Sequence, residues 1–253
     1  MAQRPRKQKY TPEAVPMESG NQLKLRSQIK AKNTAQDLYL TSLREKKMTL
    51  GVGPAGCGKT FLVTAVAAEK LLKGEVEKIV VTRPTVETGG RGLGYLPGLL
   101  EEKMLPYMVP LYEALGDHIG VAATQKLITS NKLQVVPLEF ARGRTFNRSF
   151  VILDECQNAT VEQARMFVTR MGYESFFAIN GDLSQSDLVP PRDAGKDWEN
   201  GLSYLCRKLA GRDQNIGYVE FQNRDVVRSD MVRRVLSLLD DQLPSSNLNE
   251  AAA

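Results

Sequence analysis

A glycine-rich segment at residues 53–60 constrains the fold of this chain more than any other feature. It reads Gly-Pro-Ala-Gly-Cys-Gly-Lys-Thr and completes the pattern G-x-x-x-x-G-K-S/T. Residues 48–52 before it are mostly apolar and β-prone, and residues 61–73 after it contain no Gly or Pro until Gly74. A strand, a glycine loop and a helix in this order predict a phosphate-binding loop.

The residue types in this loop fit the chemistry of a nucleoside triphosphate. Its glycines let successive backbone N–H groups surround phosphate oxygens, at a helix start whose dipole favours anions. Lys59 is expected to reach the β- and γ-phosphates, and the Thr60 hydroxyl to bind Mg²⁺. The predicted binding residues are Gly53, Pro54, Ala55, Gly56, Cys57, Gly58, Lys59 and Thr60.

An acidic pair, Asp154 and Glu155, is the second candidate site. It directly follows the apolar residues 150–153, which read Phe-Val-Ile-Leu. A buried strand that delivers carboxylates to the edge of a sheet is typical of a Walker B site. Asp154 is expected to hold Mg²⁺ through water, and Glu155 to polarise the attacking water. The pair of acids favours hydrolysis, because binding alone needs only the Asp.

The segment after the acidic pair predicts a sensor for the γ-phosphate. Thr160 and Gln163 have the spacing of a capping box and predict a helix to about Met171. Residues 175–180 read as a strand that ends in Gly-Asp-Leu-Ser-Gln. A polar tip on a strand beside Walker B lies next to the γ-phosphate, so Gln185 is predicted to contact it. The residues expected on the inner face of the helix are Val161, Ala164, Phe167, Val168 and Met171.

Strands and helices alternate along the chain. Segments 79–82, 133–136 and 218–221 read as strands, and 101–115, 122–129, 202–209 and 230–239 as helices. This alternation predicts an α/β fold with a parallel sheet and helices on both faces. With the phosphate loop it predicts a RecA-like P-loop NTPase whose ligands lie at the carboxyl ends of the strands.

Seven blocks, in this order, resemble the PhoH-like ATPase family: GPAGCGKT, TRPTVETG, LGYLPG, FARGRT, VILDECQN, TRMG and GDLSQSDL. The resemblance runs from about Lys32 to about Leu236. It implies an ATP-dependent protein of bacteria or phages, similar to the first motor domain of superfamily 1 helicases. Asn33 and Gln36 resemble the family's adenine-reading Gln motif, which implies that Gln36 contacts the base.

This sequence departs from the family pattern at two places. Cys57 and Cys156 stand where small or hydroxyl residues are usual, and both changes are small. Residues 89–92 read Gly-Gly-Arg-Gly where relatives carry a Gly-Glu stretch. The missing acid leaves the role of that loop open.

Positive charge is concentrated near the N-terminus. Residues 1–32 hold eight Lys or Arg and two Glu, in a chain whose net charge is +5. Such an arm either binds nucleic-acid phosphates or is only a solvated terminus. We predict a disordered basic arm at residues 1–31, an ATPase domain at 32–243 and a loose tail at 244–253.

Cysteine and hydropathy patterns predict a cytoplasmic protein without a membrane partner. The three cysteines have no paired or metal-ligand spacing, and the single histidine, His118, excludes a histidine-based metal site. No apolar run approaches about 18 residues, and the start lacks the apolar segment of a signal peptide.

An arginine that completes the catalytic site is not expected from a second motor domain of this chain. In superfamily 1 helicases a second motor domain supplies it, and residues 186–253 are too few for such a domain. The arginine is therefore expected from this chain's own motifs or from a neighbouring subunit. Arg228 is the leading candidate and Arg170 the second, ahead of Arg142 and Arg144. The resemblance implies a homo-oligomeric ring, such as a hexamer.

Three functions fit these patterns. The helicase-like blocks, the basic arm and residues 82–85, which resemble a strand-contacting helicase motif, favour an ATP-driven motor on RNA or single-stranded DNA. An ATP-switched binding or scaffold protein without unwinding activity stays open, because no recognised nucleic-acid-binding module is present. A small-molecule kinase is disfavoured by the sequence Asp-Glu-x-Gln and by the lack of an arginine-rich lid.

The assignment of Gln36 predicts a base preference. Paired hydrogen bonds from its amide to an adenine edge should favour ATP over GTP and UTP. Hydrolysis rates of the four triphosphates, for the wild type and for Gln36→Ala, measure this preference. Equal rates for all four, or an unchanged preference in Gln36→Ala, would contradict the assignment.

The assignment of Arg228 predicts complementation between subunits. Arg228→Ala subunits should bind ATP without hydrolysing it, because they lack the arginine. Glu155→Gln subunits should be inactive because they lack the carboxylate that polarises the attacking water. If the arginine acts across an interface, mixed oligomers regain hydrolysis where each subunit supplies one intact half. Co-assembly without recovery, or a fully active dilute monomer, would rule this arrangement out.

Overall fold

The structure is a computed structural model that describes residues 24–26, 29–85, 100–190, 195 and 197–227. Side chains of residues 100–107 are not among those described. Several predictions therefore concern parts of the chain outside the described residues. These are most of the basic arm, the loop at 89–92, Arg228, the helix at 230–239 and the tail at 244–253.

Six α-helices and six β-strands alternate in the described part of the chain. They are α1 Thr34–Glu45, β1 Met48–Val52, α2 Lys59–Leu72, β2 Lys78–Arg83, α3 Leu100–Ile119, α4 Val121–Thr129, β3 Leu133–Pro137, β4 Ser149–Leu153, α5 Val161–Val168, β5 Phe176–Gly181, α6 Gly201–Leu209 and β6 Ile216–Glu220. Short 3-10 helices span Leu138–Ala141, Cys156–Asn158 and Asn223–Asp225.

The strands form one sheet in the order β3-β2-β4-β5-β1-β6, and every neighbouring pair is parallel. The carboxyl ends of all six strands consequently meet at one edge. The glycine loop follows β1 and the acidic pair follows β4, with β5 between them. This arrangement confirms the predicted RecA-like α/β fold.

Helices cover both faces of the sheet, as predicted. Strand residues alternate between the faces, so that Phe150 and Ile152 of β4 join one core cluster and Val151 and Leu153 join the other. The first cluster packs against α1, α2, α3 and α4, and the second against α5 and α6. Central strands buried on both faces explain why the strand segments read as nearly continuous apolar runs.

Helix α1 is absent from the sequence-based prediction. Asn33 caps it by accepting a hydrogen bond from the Gln36 N–H at 2.9 Å. Tyr39, Leu40 and Leu43 are buried against the first core cluster. Their spacing is that of an amphipathic helix, and this signal was available in the sequence.

Helix α5 is shorter than predicted. Its capping box between Thr160 and Gln163 is present as expected. The helix ends at Val168, however, because Met171 pairs in a parallel bridge with Phe146, just before β4. Of the five residues predicted on its inner face, only Ala164 and Phe167 are fully buried; Val161, Val168 and Met171 are half-buried.

The described helices include none that combines the length and apolar character needed to cross a lipid bilayer.

Candidate nucleotide-binding and hydrolysis site

The glycine loop has the backbone shape that its composition predicts. The φ angles of Gly53, Gly56 and Gly58 are 143°, 86° and 86°. Residues that carry a Cβ atom rarely adopt such positive angles. Gly58 is the N-cap of α2, so the loop leads directly into a helix start. Unpaired N–H groups of that first turn, with the helix dipole, attract phosphate oxygens.

Lys59 is held inside this loop. Its Nζ donates hydrogen bonds to the carbonyl oxygens of Gly53 at 2.6 Å and Pro54 at 2.9 Å. Burial lowers the pKa of the Lys59 ammonium, and negative charges at Asp182, Asp154 and Glu155 oppose that effect. An ammonium group lodged against two carbonyls is placed to exchange them for the stronger contacts that phosphate oxygens offer.

Thr60 and Asp154 meet at the edge of the sheet. The Thr60 hydroxyl donates to Asp154 Oδ2 at 3.3 Å. Burial raises the pKa of the Asp154 carboxyl, and the charge of Glu155 raises it further. A hydroxyl and a carboxylate fit Mg²⁺, which prefers oxygen ligands and completes its shell with waters and phosphates. Among the described residues, no group of three or more His, Cys, Asp or Glu forms a fuller metal cage.

Glu155 has an unusual backbone conformation and two side-chain partners. Its φ of 56° and ψ of 41° are left-handed, which costs a non-glycine residue roughly 1–2 kcal/mol. Gln157 Nε2 donates to Glu155 Oε2 at 2.5 Å. An Arg83 guanidinium nitrogen lies 3.6 Å from Glu155 Oε1. The predicted water-polarising carboxylate is thus held on both oxygens.

Gln157 connects Glu155 to the tip of β5. Its Oε1 accepts a hydrogen bond from the Asp182 N–H at 3.1 Å. A Cβ on Gly181 would lie 2.5 Å from that same oxygen, so the strand tip needs glycine there. Asp182 Oδ2 in turn accepts a hydrogen bond from Gln185 Nε2 at 2.9 Å. A continuous chain of hydrogen bonds therefore runs from the predicted sensor to the predicted base.

Three further hydrogen bonds fix this tip against the Walker B turn. Asn158 and Asp187 form reciprocal bonds: Asn158 Nδ2 donates to Asp187 Oδ2 at 3.1 Å, and the Asp187 N–H donates to Asn158 Oδ1 at 2.8 Å. Ser186 Oγ donates to the Gln157 carbonyl at 2.9 Å. The loop that carries Gln185 is therefore attached to the acidic turn at several points.

These elements surround one cleft of about 270 Å³ at the carboxyl edge of the sheet. The cleft brings together the loop, Lys59, Thr60, both acids and Gln185. Gly53, Pro54 and Cys57, although part of the loop, do not line it. The lining residues are Ala55, Gly56, Gly58, Lys59, Thr60, Phe61, Asp154, Glu155, Gly181, Asp182 and Gln185.

Gln36 lies behind the loop and is only 4% exposed. Its Oε1 accepts a hydrogen bond from the Lys32 N–H, and its Nε2 donates to the Cys57 carbonyl, both at 2.9 Å. The side chain therefore braces the loop backbone, a role that the sequence analysis does not include. Each end of the amide retains one further hydrogen-bonding position, and its contact with the base stays a prediction.

The arginine candidates lie in different places. Arg170 donates from Nε to the Met166 carbonyl at 3.2 Å, and its own carbonyl accepts a hydrogen bond from the Phe146 N–H. Phe146 precedes β4, so Arg170 lies at the amino edge of the sheet, opposite the cleft. From there it could act only on a neighbouring subunit. Arg142 and Arg144 are exposed.

Sequence reasoning missed Arg83 as a member of the site. Parallel pairing of β2 with β4 aligns Thr82 with Leu153, which brings Arg83 beside the acidic pair. The available signal was its position at a strand tip, but the order of the strands was needed to see which tip it adjoins.

A family model described as PhoH-like protein matches residues 28–240, which is most of the chain. This chain belongs to the PhoH-like protein family. It is 40% identical over 214 residues to the PhoH-like protein of Bacillus subtilis (strain 168), covering 85% of this chain and 65% of that protein. The PhoH-like protein of Mycobacterium tuberculosis (strain H37Rv) is 40% identical over 225 residues, covering 88% and 62%.

Protein PhoH of Escherichia coli (strain K12) is 39% identical over 212 residues, covering 83% of this chain and 58% of that protein. The chain thus spans about three fifths of the length of these relatives. Membership of the PhoH-like family confirms the resemblance inferred from the seven blocks and implies a P-loop ATPase-type domain.

The raised pKa of Asp154 predicts that the site reduces the stability of the free protein. A carboxyl with a raised folded pKa destabilises the fold above its usual titration range, and not below it. Asp154→Asn should therefore melt at a higher temperature than the wild type at neutral pH without Mg²⁺ and ATP. The difference should vanish as the pH falls below the usual range of Asp.

Melting curves across a pH series measure this effect, with Asp117→Asn, an exposed position on α3, as the matched control. Adding Mg²⁺ and ATP should stabilise the wild type more than Asp154→Asn, which loses a carboxylate for Mg²⁺ but keeps the phosphate-binding loop. A variant that melts below the wild type at neutral pH would contradict the electrostatic account.

Proposed function

We propose that this PhoH-like protein hydrolyses ATP with Mg²⁺ and acts as a helicase-like motor on RNA or single-stranded DNA. The observation that carries the proposal is the convergence of Lys59, Thr60, Asp154 and Glu155 on one cleft at the carboxyl edge of the sheet. That convergence joins a phosphate-binding element to a carboxylate that can polarise water. Binding alone would not require the second part.

Each residue has a defined part in the proposed reaction. Lys59 and the loop N–H groups bind the phosphates and stabilise the charge that develops on them. Thr60 and Asp154 would hold Mg²⁺, which neutralises phosphate charge when bound. Glu155 accepts a hydrogen bond from the attacking water and orients it. Gln185, linked to Glu155 through Asp182 and Gln157, senses the γ-phosphate.

The nucleic-acid part of the proposal has separate support. The basic residues near the N-terminus suit a phosphate backbone, and residues 82–85 at the tip of β2 resemble a strand-contacting helicase motif. We further propose a homo-oligomer in which Arg228 or Arg170 completes a neighbouring site. The alternative function is an ATP-switched binding or scaffold protein, in which hydrolysis controls partner contacts and nothing is unwound.

The chemical assignment predicts two different losses. Lys59→Ala should abolish nucleotide binding, because it removes the positive charge that contacts the β- and γ-phosphates. Glu155→Gln should bind ATP and Mg²⁺ but lose turnover by roughly a hundredfold or more, because an amide cannot act as the base. Binding measured with a fluorescent ATP analogue, beside steady-state phosphate release, separates the two. Normal hydrolysis by Glu155→Gln would falsify the Walker B assignment.

The motor is separated from the scaffold by one set of measurements. The rate of ATP hydrolysis is determined with and without single-stranded RNA and DNA across a salt series. A motor on nucleic acid should be stimulated, with stimulation that weakens as salt rises. A rate of ATP hydrolysis that neither nucleic acid changes at any salt concentration would favour the scaffold protein.

A further inference from the structure

We propose that Arg83 is a positioning residue that restrains Glu155, and that a nucleic-acid phosphate releases this restraint by competing for the guanidinium group. The inference deepens the function proposed above and rests on it. In this proposal, one ion pair couples nucleic-acid binding to ATP hydrolysis.

The fold itself places Arg83 beside Glu155. Strands β2 and β4 are parallel neighbours that pair Thr82 with Leu153. The ladder continues one step further, since the Asp154 N–H donates to the Thr82 carbonyl at 3.0 Å. Arg83 is therefore the residue of β2 that adjoins the acidic pair, and a guanidinium nitrogen lies 3.6 Å from Glu155 Oε1.

Both carboxylate oxygens of Glu155 are engaged, one on each side. Oε2 accepts from Gln157, which is linked to the sensor loop through the Asp182 N–H. Oε1 faces Arg83. Each oxygen keeps a second lone pair, but attraction between Oε1 and the guanidinium group draws the carboxylate toward Arg83 and away from a water molecule at the γ-phosphate. Weakening this pair would let the side chain turn more often toward that water.

Two cavities flank Glu155, and Arg83 lines only one of them. The nucleotide cleft is lined by Asp182 and Gln185 but not by Arg83. A second cavity of about 100 Å³ is lined by Arg83 together with Val81 of β2 and residues of α3 such as Leu111. Thr60, Asp154 and Glu155 line both cavities. Arg83 thus acts on Glu155 from the side away from the phosphates, which favours a restraint over direct contact with the γ-phosphate.

The strength of the pair suits a reversible restraint. The Arg83 and Glu155 side chains are 27% and 37% exposed, and their closest atoms are farther apart than in a hydrogen-bonded pair. Partly exposed pairs of this kind shift an equilibrium by no more than roughly fivefold. A phosphate offers the guanidinium group two parallel hydrogen bonds and competes well with such a contact.

The central test removes the guanidinium group. Arg83→Ala should hydrolyse ATP without nucleic acid up to about fivefold faster than the wild type, with an unchanged KM for ATP. Single-stranded RNA or DNA should then add little further stimulation. Arg83→Lys, which keeps the charge without the fork of donors, should lie between the two. Arg212→Ala, an exposed arginine between α6 and β6, serves as the matched control.

Two additional variants keep the test interpretable. Arg83→Gln removes the charge while retaining hydrogen bonds, and it replaces the alanine variant if that protein melts early. The double variant Arg83→Ala with Glu155→Gln should be inactive, which shows that the faster hydrolysis proceeds through Glu155.

A large fall in the rate without nucleic acid would overturn the proposal, because it would make Arg83 a direct stabiliser of the reaction. Full stimulation by RNA or DNA in Arg83→Ala would overturn it as well. A wild-type protein that ignores both nucleic acids would contradict the proposed motor and the phosphate trigger together. The restraint itself is judged separately, by the rate of Arg83→Ala without nucleic acid.

Discussion

Parallel pairing within the sheet is the constraint on which the site depends. Because β1, β5 and β4 run side by side in the same direction, their carboxyl ends present the glycine loop, the sensor tip and the acidic pair along one edge. Central β5 contacts both neighbours, through pairs such as Leu50 with Ile179 and Ile152 with Ala178. A register shift of one residue in β5 would turn every side chain of that strand to the opposite face. The same backbone pairing that builds the sheet therefore also fixes the geometry of the candidate site.

The carboxyl edge of the sheet also carries electrostatic strain. Asp154, Glu155 and Asp182 gather three carboxylates around Lys59 and Arg83, in surroundings where burial disfavours the charge of Asp154. Glu155 adds a left-handed backbone conformation to the same turn. Such costs persist where the surrounding contacts leave no alternative, and here those contacts come from Gln157, the 3-10 turn and the loop that carries Gln185. A divalent cation would offset part of the carboxylate charge, and phosphates would pair with Lys59.

Much of this organisation could be predicted from the sequence. The loop, the acidic pair and most strands were readable, because apolar runs between helical segments specify a parallel sheet directly. Helix α1 has helical apolar spacing at Tyr39, Leu40 and Leu43, but Asn33 and Gln36 at its start also fit a base-reading motif, which needs no helix. The end of α5 was misplaced because its last turn is set by pairing with Phe146, a contact between distant segments. Arg83 could be recognised only after the strand order placed β2 beside β4.

The hydrogen bonds behind the glycine loop have a consequence for how the protein is made. Gln36 holds the Cys57 carbonyl, the Val227 N–H holds the Gly56 carbonyl at 3.0 Å, and Asn33 Nδ2 reaches the Asp225 carbonyl at 3.2 Å. Segments from opposite ends of the described chain thus meet at the loop. During synthesis, the ribosome releases the loop sequence long before the segment that includes Val227. A nascent chain therefore carries the loop residues without their full support, and the complete site forms only when translation of the domain is nearly finished.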